Sequence, residues 1–145
     1  MLNSSMSKRK VVGVGGVFFK SEDPQRLNDW YAQHLGMNTN EYGATFEFRN
    51  SLIPEQKDHL QFSPFPKDTK YFDPSTKPFM INFRVEDLRS LLKDLKNAGV
   101  VQIGEIVEES YGLFAHIMDP EGNKIELWQP DHKEYEKVVG DEVNR

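Results

Sequence analysis

Glu126 and His116 are the residues whose types and spacing best suit chemistry. Alternation across residues 124–128 puts Lys124, Glu126 and Trp128 on one face of a strand and Ile125 and Leu127 on the other. The apolar pair is expected to pack on a helix, leaving Glu126 on the opposite side. Among apolar neighbours its pKa is expected to rise, which suits a general base or a hydrogen-bond acceptor. The same parity groups His116 with Phe114 and Met118 on the preceding strand. A His–Glu pair across adjacent strands can move a proton between substrate atoms at neutral pH. The plainer alternatives are a solvated carboxylate and a structural histidine.

Other chemistries lose their footing in the composition. The 145 residues contain no cysteine, which removes disulfides, thiolate metal sites, a cysteine nucleophile and iron–sulfur clusters. Charges of 18 and 23 leave a net −5, with no single-sign run to serve as a nucleic-acid footprint. No stretch approaches the ~20 apolar residues of a membrane span. Residues 1–9 read as a tail with basic residues but no signal-peptide run, so a cytoplasmic protein is expected. The glycines at 13, 15 and 16 lie within a strand with no helix directly behind them, so they do not form a phosphate cradle. Their expected use is space, for a ligand or for Trp128.

The elements that must position these residues follow from periodicity. Residues 11–20 read as a strand, and Asp23-Pro24 start a helix carrying Leu27, Trp30, Tyr31 and Leu35, stopped by Gly36. Residues 42–49 and 59–63 alternate as strands, and residues 64–78 hold four of the eight prolines and read as a connector. Phe65, Tyr71 and Phe72 within it could fold over as a lid. Residues 79–85 are a strand, and Leu88, Leu91, Leu92, Leu95 and Ala98 form a helical stripe that ends at Gly99. Strands are expected at 100–107, 113–118 and 124–128, the last two joined by the turn residues 119–123. From residue 131 the chain is charged, either a short helix or disordered.

The plan repeats. Asp23 and Asp87, Tyr42-Gly43 and Tyr111-Gly112, and Leu60-Gln61-Phe62 and Ile125-Glu126-Leu127 correspond at an offset of roughly 65 positions. The expected architecture is one duplicated α+β domain over residues 10–130. Its modules are 10–64 and 79–130, its connector is 65–78, and a charged tail covers 131–145.

The two βαβββ halves, the phrase Asp119-Pro120-Glu121-Gly122-Asn123-Lys124-Ile125-Glu126-Leu127-Trp128 and the helix with Trp30-Tyr31 and Leu35-Gly36-Met37 resemble the vicinal oxygen chelate superfamily. That superfamily includes glyoxalase I, extradiol dioxygenases and bleomycin-resistance proteins. The resemblance implies a cup-shaped mixed sheet with helices outside, and usually a homodimer. It also implies four metal-ligand positions, which fall here on Gly16 (or Gly15), Gln61, Met80 and Glu126. A glycine has no donor and a thioether is a poor ligand for hard ions, so no metal and no other cofactor are expected. The resemblance gives the cup as ligand-binding residues Phe18, Gln61, Met80, Asn82, Phe114 and Trp128, with Glu126 and His116 as the catalytic pair. Lys20 and Arg84 are expected at solvated strand ends, or gripping a substrate anion. Trp128 is expected at the rim or in a dimer interface. The implied function is binding of a small organic molecule, with metal-independent isomerase or lyase chemistry. The alternatives are a non-catalytic binder that sequesters a toxic or antibiotic compound, and a metal-dependent glyoxalase or dioxygenase with atypical ligands. Neither a nucleic-acid nor a membrane partner is expected.

Overall fold

A computed structural model describes residues 10–145; the tail expected over residues 1–9 lies outside them. The elements in order are β1 (Val11–Ser21), α1 (Pro24–Leu35), β2 (Thr39–Asn40), β3 (Gly43–Arg49), β4 (Lys57–Pro66) and β5 (Phe79–Val85). They continue with α2 (Leu88–Asn97), β6 (Gln102–Glu109), β7 (Gly112–Met118), β8 (Lys124–Pro130) and α3 (His132–Val139). Both long helices start as their sequences dictate. Asp23 accepts from the Arg26 N–H and Asp87 from the Ser90 N–H, each satisfying an orphan donor of a first turn.

The strands form one open mixed sheet in the order β2-β3-β4-β1-β5-β8-β7-β6. Within each half the first strand lies parallel to the last, β1 on β4 and β5 on β8, and the halves join where β1 and β5 run antiparallel. This is the α+β arrangement of paired βαβββ units that the repeat implied. The repeated Tyr-Gly pairs have a common cause. Gly43 (φ 118°) and Gly112 (φ 146°) lie so near the next strand that a Cβ would sit 2.1 Å from the Phe62 oxygen and 2.4 Å from the Gln129 oxygen.

Both helices cover one face. Leu88, Leu91 and Leu92 of α2 pack with Val85, Ala115 and Leu127, with Ile125 and Ile117 alongside. On α1, Tyr31 meets Phe62 edge-on at 5.4 Å between centroids. The opposite face therefore carries Gln61, Gly16, Asn82, Glu126 and His116.

Several elements differ from the periodicity. Strand β4 runs on to Pro66, because β3 stops pairing at Phe62 and leaves an edge where proline's missing N–H costs no ladder bond. Strand β6 begins at Gln102 rather than residue 100, since the Val100 N–H closes the end of α2 on the Leu95 carbonyl at 2.9 Å. The two-residue β2 is too short to leave a period. Of the two expectations for the charged segment after residue 130, the helix is the one observed. The chain then returns to the sheet, where the Asn144 N–H donates to the Thr45 carbonyl and the Glu47 N–H to the Asn144 carbonyl, both at 2.8 Å. No helix among the described residues is long and apolar enough to cross a membrane.

Candidate active site

The sheet register builds the site. Gln61 lies opposite Gly16, Gly16 opposite Asn82, Asn82 opposite Glu126, and Glu126 opposite His116. One row across five strands thus presents these side chains on the face away from α1 and α2. The β7–β8 register is held by its turn, where the Asp119 carboxylate accepts from the backbone N–H groups of Glu121 and Asn123 and from the Asn123 amide.

Glu126 is 3% exposed, and each oxygen is engaged. Oε1 accepts from Asn82 Nδ2 at 2.7 Å, and His116 Nε2 lies 2.8 Å from Oε2. With the carboxylate ionised, that imidazole carries its proton on Nε2. Oε2 also accepts from the Tyr71 hydroxyl. Burial, and then the Glu126 charge, push the Tyr71 phenol far above its ordinary pKa, so it acts here as a donor. Lys124 Nζ donates to the Tyr71 carbonyl at 2.7 Å and lies 5.4 Å from the centre of its ring. Burial holds the Lys124 ammonium below its usual range.

Tyr71 is the site residue that periodicity missed. It arrives from the connector between β4 and β5, where no repeat length links a position to a face. The one available signal was the aromatic content of an otherwise polar, proline-rich segment.

The glycines act as the sequence suggested, through space. The β1–β5 register shifts between Val14 and Gly16, a bulge that places Gly15 beside the site. A Cβ on Gly15 would fall 2.4 Å from Asn82 Oδ1 and 3.0 Å from Trp128 Cε3. A Cβ on Gly16 would fall 2.7 Å from the Phe18 ring.

The four metal positions implied by the family resemblance do not suit a cation. Gly16 offers no donor and lies under Phe18. Met80 is fully buried in a cluster with Phe18, Phe72 and Phe65. Its neighbour two positions on, Asn82, is the β5 residue that aligns with Glu126. The Gln61 carbonyl accepts from the Thr45 hydroxyl at 2.6 Å, while its amide donates to Ser63 Oγ at 2.9 Å and the Tyr42 carbonyl at 3.2 Å. Among the described residues no cluster of three or more histidines and carboxylates could hold a metal ion.

Other expected site residues are packed away from the carboxylate. Trp128 is buried beneath α3 rather than at a rim: Phe114 stacks on it at 5.8 Å, and Tyr135 of α3 meets it edge-on at 4.8 Å. Tyr135 also covers His59, which is 4% exposed, at 5.2 Å. Arg84 is not at a solvated strand end. Its guanidinium is buried, donating to the His59 carbonyl at 2.9 Å and the Val14 carbonyl at 3.3 Å, with Asp58 at 3.7 Å. A glycine at position 13 makes this possible, since a Cβ there would be 2.3 Å from Arg84 Nη2. Gln61 instead lines a cavity of about 390 Å³ beneath α3, shared with Tyr42, Thr45, Tyr135 and Glu142.

Comparison with known proteins agrees with this geometry. A comparison with curated protein sequences finds no match. Among solved structures, methylmalonyl-CoA epimerase from Mycobacterium tuberculosis is 23% identical, with a TM-score of 0.58 over 93% of this chain and 96% of that one. A glyoxalase/bleomycin resistance protein/dioxygenase superfamily member from Vibrio splendidus 12B01 is 12% identical, with a TM-score of 0.50 over 85% of this chain and 99% of that one. A catechol 2,3-dioxygenase is 18% identical, with a TM-score of 0.51, over 84% of this chain and 41% of that longer one. These likenesses establish the fold alone. The family model described as a glyoxalase-like domain matches residues 16–128, so the chain belongs to the glyoxalase-like family of the vicinal oxygen chelate superfamily.

Proposed function

We propose that the protein binds a small organic molecule on the Glu126 face and moves a proton on it without a metal ion, as an isomerase or lyase does. One observation carries this reading. Glu126 is a buried carboxylate with an imidazole 2.8 Å from one oxygen and an amide 2.7 Å from the other, all three on neighbouring strands. Donors fixed on strands hold a base in one geometry, which lowers the reorganisation a proton transfer requires. A carbon acid would give its proton to Oε2, and the electron pair would move onto the adjacent carbonyl oxygen. Once Oε2 takes up the proton it no longer holds the His116 Nε2–H, which then donates to that oxygen, and the proton returns to the same carbon or its neighbour.

The experiment is deuterium uptake from heavy water, followed by NMR. The substrates are methylmalonyl-CoA, whose epimerase from Mycobacterium tuberculosis shares the fold, and simple α-hydroxyketones. Glu126→Gln is expected to slow exchange roughly a hundredfold or more while ligand affinity is kept. Equal exchange by wild type and variant would sink the reading.

The cavity of about 390 Å³ beneath α3 favours a second reading, a binder that sequesters a small compound without turnover, since small-molecule sites run from about 300 Å³ upward. In that case Glu126→Gln is silent and Trp128→Ala, which removes the ring behind Tyr135, weakens binding. The family resemblance also implies a homodimer. Trp30 and Leu35 on α1, 49% and 61% exposed, are the apolar surface such pairing would cover, and light scattering in solution reads the outcome.

A further inference from the structure

Three donors hold the Glu126 carboxylate, and they are not equally fixed. Asn82 and His116 lie directly opposite Glu126 on the strands flanking β8 and are 2% and 8% exposed. Tyr71 comes from the connector and is 42% exposed. The backbone that carries it is nonetheless tied down. Lys124 Nζ holds its carbonyl, and the next residue, Phe72, is fully buried. The Asp73 N–H donates to the Lys70 carbonyl at 3.1 Å and the Ser75 N–H to the Phe72 carbonyl at 2.9 Å. The part free to move is the Tyr71 side chain, not the segment.

While that phenol is in place, Oε2 already accepts twice and no substrate reaches it. The ring also fills a defined slot. Phe65 stacks parallel to it at 5.8 Å and 13°, His116 meets it edge-on at 5.4 Å, and the Lys124 ammonium stands 5.4 Å from its centre. A stacking wall, a cation and a carboxylate acceptor together select a flat π-system that carries an acidic O–H.

We infer that the Tyr71 side chain occupies the ligand's own place as a gate, and that the ligand displacing it is a planar conjugated molecule bearing a phenol or enol hydroxyl. The inference rests on the reading of Glu126 as the proton acceptor, but its claim concerns binding. The incoming hydroxyl donates to Oε2 as Tyr71 did, the ring lies against Phe65 with Lys124 beside it, and Tyr71 rotates into solvent.

The probe is p-cresol, which carries the tyrosine ring and hydroxyl, with toluene as the control that lacks the hydroxyl; binding is followed by ligand-observed NMR. Affinity for p-cresol is expected to rise from wild type to Tyr71→Phe to Tyr71→Ala, the last about tenfold or more above wild type. Tyr71→Ala is expected to prefer p-cresol over toluene about tenfold, and adding Glu126→Leu, which removes both acceptor oxygens, to abolish that preference. Tyr71→Phe keeps the ring and therefore decides the ranking even if Tyr71→Ala fails to fold. No gain in p-cresol affinity for Tyr71→Phe or Tyr71→Ala overturns the gate, and so does a preference that survives loss of the carboxylate. Deuterium exchange separates the two claims. The affinity ranking without exchange refutes proton transfer alone, whereas exchange without the ranking refutes the gate alone.

Discussion

The two halves share an order of elements and differ in what fills their faces. In the second half, α2 buries three leucines against β7 and β8 in a continuous aliphatic cluster. In the first half, α1 buries only Asn28 and touches the sheet through Tyr31 on Phe62, with Trp30 and Leu35 left in solvent. The other face is divided in the same way. The second half presents Glu126, His116 and Asn82 on three adjacent strands. The first half presents Gln61, whose amide is already spent on Tyr42, Ser63 and Thr45. It is then covered by α3, a helix that follows the last strand of the other half. Duplication therefore supplied a symmetric frame but not a symmetric distribution of packing. The half that holds the buried carboxylate is the one with the dense core behind it, and a side chain held in one geometry needs that backing.

The contrast is most directly broken at the helices. Leu88→Ala, at a fully buried position, is expected to cost about 3 kcal/mol, and Leu27→Ala, half-buried on α1, only about 1 kcal/mol. Urea denaturation measures both, and equal losses would show the two helices to be anchored alike. A smaller effect is expected where the first half reaches into the second. Gly15→Ala puts a methyl group 2.4 Å from Asn82 Oδ1, so Asn82 must leave the position from which it donates to Glu126. Stability should fall by about 1–2 kcal/mol, and deuterium exchange should fall with it. Unchanged exchange would mean that Asn82 does not position the carboxylate.

The smallest effect concerns the covered first half and its response to pH. Burial lowers the His59 pKa from 6.5, and the Glu47, Glu136 and Asp58 carboxylates partly oppose this against the nearby Arg84. The unfolded chain therefore binds the proton more readily than the folded one. The contribution to stability is complete above pH 6.5 and is lost as pH falls through that value toward the lower folded pKa. Thermal melts of wild type across this range should show the decline, and His59→Gln should flatten it. Parallel pH profiles for the two proteins would remove His59 from the account.

The pair Glu126 and His116 was legible because strand parity is a local rule and the turn between their strands has a recognisable composition. The glycines were legible as space, and the structure shows which side chains take it: Arg84, Asn82 with Trp128, and Phe18. Arg84 was misplaced because parity reports a face and not a depth, and its burial depends on Asp58 from another strand. Trp128 was misplaced for a related reason. What buries it, with Phe114, is Tyr135, on a helix half of whose residues are charged.

From the residues alone came the duplicated α+β frame, the helix starts at Asp23 and Asp87, and the face shared by the carboxylate and the imidazole. Each of these depends on periods and caps that span only a few residues. The β5–β8 register aligned Asn82 rather than Met80 with Glu126. The folded connector delivered Tyr71 onto the same oxygen as His116, and the chain's end closed over the first half. Those arrangements join residues tens of positions apart through loops that have no period, so only the tertiary structure could decide them.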